Sequence, residues 1–172
     1  MKAISEGKSP RRNVFPSNRA QAMVEFAIAL PVLLVMLVGI MEVGRMLIMY
    51  ALVSNASRDA VRYASAVGLD NSGNYDKFIY CDGIKTAARS AAYFVSLTTI
   101  SISYDTGPGG TSRGVCDATG GEDGDVTASS GDRVTVTVSA TYKPVVKLIP
   151  ISQRTFTSIS SRTIIGIFEL QN

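Results

Sequence analysis

Residues 22–41 read AMVEFAIALPVLLVMLVGIM, and this stretch decides the architecture of the chain. It is apolar except for Glu25, and it has the length of roughly 20 residues that crosses the hydrocarbon core of a bilayer as a helix. Upstream, Lys2, Lys8, Arg11, Arg12 and Arg19 stand against one acid, Glu6. A basic flank before a membrane helix stays in the cytoplasm, which predicts that everything after about Met41 lies on the far side. A carboxylate in the start of such a helix is costly, and an intramembrane ionisable group points to function. The plainer reading of Glu25 is a side chain that snorkels to the cytoplasmic interface and pairs with nothing. A cleaved secretory signal is the competing reading of the whole stretch. Its apolar core is usually only about 7–15 residues, followed by a small-residue cleavage site. Here Glu42-Val43-Gly44-Arg45 and MLIMYALV follow without a polar break, so the anchor is expected to be retained.

Beyond the anchor the charge balance changes. The whole chain of 172 residues has a net charge of +3, but from Gln21 onward it holds 12 Lys+Arg and 13 Asp+Glu. The exported part is close to neutral and carries no basic face of the kind that binds nucleic acid. The length allows one small domain besides the anchor. Histidine is absent, which excludes Ser-His-Asp and Cys-His nucleophile systems and counts against an ordinary zinc site. No enzymatic activity and no cofactor are expected. Cys81 and Cys116 both lie in the exported part. In an oxidising compartment they would pair and close a loop of roughly 35 residues, and the alternative is two free thiols.

Downstream of Gly44 the pattern turns from uniformly apolar to amphipathic. Val53, Ala56, Ala60, Val61, Ala64 and Val67 recur at helical spacing, with Asn55, Arg58, Asp59, Arg62 and Ser65 on the other side. Pro31 removes one hydrogen bond near the middle of the anchor and predicts a kink or loosening there. Glu42 and Arg45, like Asp59 and Arg62, are spaced i, i+3 and read as surface helix pairs. Residues 69–82 are loop-like, and 84–96 (IKTAARSAAYFVS) read as a short helix. Residues 98–104 alternate as a strand, 105–131 read as one long Gly/Ser/Thr/Asp-rich loop, and 132–142 (DRVTVTVSATY) form the clearest strand. The segment PVVKLIP, bracketed by Pro144 and Pro150, reads as a connecting arm. A last strand runs over 153–165, alternating through Phe156, Ile159 and Ser161. Asp117, Glu122, Asp123 and Asp125 offer oxygen ligands without EF-hand spacing, and a solvated loop is the reading preferred.

The expected fold is α+β. A long N-terminal membrane-spanning helix continues into an amphipathic helix, followed by a small extracytoplasmic domain with one short helix and about three antiparallel strands. The divisions are 1–20, a basic cytoplasmic segment; 21–44, the transmembrane helix; 45–68, its amphipathic extension; and 69–172, the external domain. One sheet face is expected on the helix stripe from Val53 to Val67, with the Thr-rich face left wet.

Several segments together resemble a known family. These are Arg19-Ala-Gln-Ala-Met-Val-Glu25-Phe26, then Ala-Ile-Ala-Leu-Pro31, Gly39-Ile-Met-Glu42-Val-Gly44-Arg45, and Asn55-Ala-Ser-Arg58-Asp-Ala-Val-Arg62-Tyr63-Ala64. They are similar to TadE-like proteins, pilins or pseudopilins of the bacterial tight-adherence (Tad/Flp) pilus. More loosely, so is the distal Val/Thr strand that ends in Tyr142-Lys-Pro144. The resemblance implies a non-catalytic structural component of the pilus or its assembly machinery, working in adhesion or secretion. Its implied location is the inner membrane with a cytoplasmic N-terminus, or the extracellular pilus itself. A prepilin peptidase would remove the leader between Ala20 and Gln21, which makes Glu25 the fifth mature residue, directly followed by the aromatic Phe26. The family's usual residue before the cut is glycine; here it is Ala20. Subunit assembly would involve Glu25, Pro31, Glu42 and Arg45, with the free ammonium of Gln21 on a neighbouring subunit meeting Glu25. The implied partners are inner-membrane lipid, other pilin or pseudopilin subunits, the peptidase and the Tad assembly proteins. Contact of the Thr/Ser-rich loops with a surface or glycan stays open. The alternative is an unprocessed single-pass membrane protein whose external domain binds a partner of the secretion apparatus.

Overall fold

The computed structural model describes residues 18–69, 73, 76–116, 126–145 and 152–166, and of residues 18 and 19 only the backbone. The basic segment 1–17, the acidic residues Asp117, Glu122, Asp123 and Asp125, and most of the PVVKLIP arm lie outside the described residues. The chain divides into two compact units, Met1–Gly39 and Ile40–Asn172.

Helix α1 spans Asn18–Ala64 and runs through Pro31 without a break. In the first unit it stands alone: every residue from Ala20 to Leu37 is exposed. It contains an 18-residue window of mean hydropathy 2.5, none of it buried, which makes it a candidate membrane span by length and composition. Such a helix satisfies its own backbone and needs no partner in lipid.

The second unit is built on the other half of α1. Val53, Ala56, Ala60, Val61 and Ala64 are buried in one apolar cluster with Ile102, Val134, Val136 and Val138. Three of the five helix residues are alanine. Val67, expected to extend this stripe, is exposed because α1 ends at Ala64. Helix α2, Cys81–Ala91, begins three residues earlier than the periodicity of 84–96 predicts and buries Ile84 and Ala88. Asp82 in its first turn and Arg89 in its last complement the helix dipole.

Four antiparallel strands, β1 (Thr99–Asp105), β2 (Ser112–Cys116), β3 (Arg133–Tyr142) and β4 (Arg154–Thr163), form one sheet in the order β2-β1-β3-β4. β3 alternates as expected: Val134, Val136, Val138, Ala140 and Tyr142 are buried and the residues between them are partly exposed. Two features differ from the sequence reading. β2 lies inside the segment 105–131 expected to be loop. Gly107 and Gly109, at φ 135° and 73°, make the hairpin turn that returns the chain to β1, a backbone that residues with a Cβ rarely adopt. β4 has its phase set by Ser158 and Ser160 rather than by Ile159. Ser158 pairs with Val138 and Ser160 with Val136, so both serines face the helix, while Ile159 points outward and is 65% exposed.

Candidate functional site

The residues implied in processing and assembly fall into two groups on α1, one in each unit. In the first unit Ala20, Gln21, Glu25 and Phe26 occupy the first turns of the helix, and all are exposed. The Ala20–Gln21 bond lies inside the helical backbone that starts at Asn18, so a protease would have to unwind that end, the part of a helix that frays first. Gln21 Nε2 donates to Glu25 Oε1 at 3.1 Å, one helical turn away. Below them Glu25, Ile28, Ala29, Val32, Leu33 and Met36 line a shallow trough. Their spacing of three and four residues puts them on one helix face, a seam on which another helix can lie. The carboxylate closes one end of that apolar seam. Pro31 is exposed on the same helix, outside the trough.

Glu42 and Arg45 belong to the second unit, and there the reading of a surface pair is corrected: Glu42 is only 3% exposed. Arg45 Nη1 reaches Glu42 Oε2 at 3.3 Å. Tyr142, the last residue of β3, donates its hydroxyl to the same carboxylate. The backbone N–H of Val145 donates to Oε1 at 3.0 Å. Arg45 also sits 5.9 Å from the centre of the Tyr142 ring, within range of a cation–π attraction. Glu42 therefore clamps the end of β3 and the following chain onto α1. The Tyr142 hydroxyl is held protonated above its ordinary range, first by its hydrogen bond to Glu42 and then by burial and the carboxylate charge. Asp59 and Arg62, read as a second surface pair, are both exposed.

Three polar arrangements were missed from sequence. Ser57, fully buried on α1, lies 2.9 Å from the hydroxyls of both Ser158 and Ser160 and joins the helix to the edge strand. Asp105 receives two bonds from Arg133, at 2.8 and 3.0 Å, across β1 and β3. The Arg133 bonds, with a further bond from the Gly107 N–H, hold the Asp105 carboxyl below its usual range against the opposing effect of burial. Tyr104 donates to the Phe78 carbonyl, and burial raises its hydroxyl pKa. A signal existed for the Asp105–Arg133 pair, because opposite charges end two adjacent alternating strands. For the serine trio there was none, since serine alternation carries no direction. Cys81 and Cys116 are joined in a disulfide that ties the start of α2 to the end of β2.

Compared with known proteins, residues 20–62 match the family model for TadE-like protein. That span takes in nearly all of α1, from the proposed cleavage position through the Glu42–Arg45 pair to Arg62. No curated protein and no solved structure matches the chain.

Proposed function

We propose that this chain is a TadE-like pilin or pseudopilin, a non-catalytic subunit of the tight-adherence pilus or of the machinery that builds it. The match over residues 20–62 supports a component of that pilus system. The observation that carries the finer reading is the exposed apolar seam of α1, headed by Glu25. Stored in the inner membrane, the seam faces lipid tails; in a bundle it faces the same helix of other subunits. In either apolar setting an uncompensated carboxylate costs several kcal/mol. Once the leader is removed, the ammonium of Gln21 on a neighbouring subunit is the cation that meets Glu25 and sets the stagger between helices. The peptidase that makes this cut and the Tad assembly proteins that extract the helix complete the set of partners. The domain from Ile40 onward is carried outside the cytoplasm.

The test is the N-terminus of the native protein, read by mass spectrometry in membrane and sheared-pilus fractions. A start at Gln21 in the sheared fraction is the expected result. An unprocessed N-terminus confined to membranes would overturn the pilin reading. Ala20 in place of the usual glycine favours that second reading, a single-pass protein whose external domain binds a partner of the secretion apparatus. A Glu25→Gln chain separates the two further, because it should be processed yet lost from the sheared fraction only if Glu25 acts between subunits.

A further inference from the structure

Two aromatic rings on the domain have no apolar cover. Tyr93 and Phe94 follow α2 in a turn closed by a 2.8 Å bond from the Val95 N–H to the Ala92 carbonyl. They are 73% and 76% exposed, with ring centres 3.9 Å apart. Their place in the fold is fixed by what comes next. The Thr98 N–H donates to the Ser139 carbonyl at 2.7 Å, and its hydroxyl donates to that of Thr141 at 3.3 Å. The next residue of β3, Tyr142, is the one bound to Glu42. The aromatic pair therefore sits at the Glu42 end of the domain, and Glu42 directly follows Met41, the last residue of the apolar run.

The charge at this end has one sign. Arg89 in the last turn of α2, Lys143 after β3 and Arg154 at the start of β4 are all exposed there. Among the described residues the acid at this end is Glu42, already held by Arg45, Tyr142 and Val145. Asp82 starts α2, Asp105 ends β1, Asp132 precedes β3 and Asp59 lies well along α1, all toward the other end. Val145, 70% exposed, adds an apolar side chain beside Lys143. An exposed tyrosine–phenylalanine pair with basic side chains at the same end of the domain, the end at which the apolar run of the sequence stops, matches the chemistry of a headgroup layer.

We propose that Tyr93 and Phe94, flanked by Arg89, Lys143 and Arg154, are a second membrane contact of this chain, a foot that seats the domain on anionic lipid headgroups. The proposal rests on reading α1 as a membrane span. It adds that the membrane-stored subunit is held at two points, so that the foot must lift before the helix is extracted.

The chain contains no tryptophan, so single Phe94→Trp, Leu34→Trp and Val67→Trp substitutions each give one indole. All three positions are exposed, and the full chain would be reconstituted in phosphatidylglycerol-containing vesicles whose lipids carry bromine either near the headgroup or deep in the acyl chain. The Phe94→Trp indole is expected to be quenched by the shallow bromines, the Leu34→Trp indole by the deep ones, and the Val67→Trp indole by neither. Water-like, unquenched emission from Phe94→Trp, with Leu34→Trp quenched, would overturn the foot and leave the span intact. An unquenched Leu34→Trp would remove the span reading and the foot with it. Shielding at Phe94→Trp that grows with protein density, without bromine quenching, would assign the patch to a second copy and overturn the lipid contact.

Discussion

Glu25 and Glu42 stand on the same helix, yet their surroundings give them different work. Glu25 is exposed and bonded within the molecule to the Gln21 amide one turn away. Glu42 is buried under three donors supplied by Arg45, Tyr142 and Val145. Replacing Glu42 with alanine takes the carboxylate from the Tyr142 hydroxyl, which keeps only its 3.3 Å bond to the residue-42 backbone carbonyl. It also leaves the Val145 N–H without its acceptor, while Arg45, partly exposed, regains water. The expected loss is about 1 to 3 kcal/mol, the cost of removing one partner of a buried hydrogen-bonded cluster. Thermal unfolding of the domain should show it, with Glu25→Ala unchanged in the same assay. The pH limits follow from neighbouring groups. Tyr142 and Tyr104 are held protonated by the fold. Their contribution is complete below the ordinary tyrosine value of about 10 and is lost as pH rises past it, because the unfolded chain releases those protons first. Asp105 behaves in the opposite sense: its folded carboxyl titrates lower than usual. Its contribution is present above the ordinary aspartate value of about 3.9 and is lost as pH falls toward the folded value. Urea midpoints measured against pH should fall at both ends, and Tyr142→Phe should flatten the alkaline fall.

Among the elements, those with a strong period were legible in the sequence. The first half of α1 announces itself by an unbroken apolar run, and its second half and strand β3 because one face is apolar and the other polar, so that register follows once a buried face is fixed. Cys81 and Cys116 were legible as a pair from compartment chemistry alone. β4 was legible as a strand but not in phase: its residues are Thr, Ser and Arg with Phe156 and Ile159 on opposite faces, so a one-residue slip leaves the pattern almost as plausible. β2 was hidden because five residues, SRGVC, sit between a glycine-rich turn and more glycine. The Glu42 clamp was out of reach for another reason, since i, i+3 spacing says nothing of the strand end that lands on the pair. The α1–β4 joint carries a prediction of its own. Ser57 fits between Ser158 and Ser160, so Ser57→Val would strand both hydroxyls and crowd the joint. About 2 kcal/mol should be lost, and Ser57→Ala, which removes the bonds without crowding, should cost less. Chemical denaturation of both variants gives the comparison.

For the whole molecule, the core from Ile40 onward is half helix and half sheet, and much of the helix half, Val53 to Ala64, belongs to the same helix as the candidate membrane span. Val53 and Val61 alone represent about 3 to 6 kcal/mol of gross burial at ~1.5–3 kcal/mol each, which is large beside the net ~5–15 kcal/mol left after the opposing entropy in an ordinary domain. The disulfide adds about 4 kcal/mol by closing a 35-residue separation in the chain-entropy account. The two contributions act on different parts: the bridge restrains α2 and β2, whereas the sheet face of Val134, Val136 and Val138 is covered by α1. A fragment of residues 40–172 should therefore fold alone, with dispersed amide resonances and a cooperative thermal transition. Reduction should lower that transition by roughly 10–25 °C, since a domain of this size falls between the ~4–8 °C for each kcal/mol of smaller domains and the ~2–4 °C of larger ones. A fragment of residues 66–172 keeps both cysteines and all four strands but exposes the valine face to water, so it should aggregate or remain unfolded even when oxidised. If that shorter fragment instead gave a cooperative transition, the helix would be a passenger on a self-sufficient sheet. If it does not, the segment that the candidate span leads into is an indispensable part of the domain core.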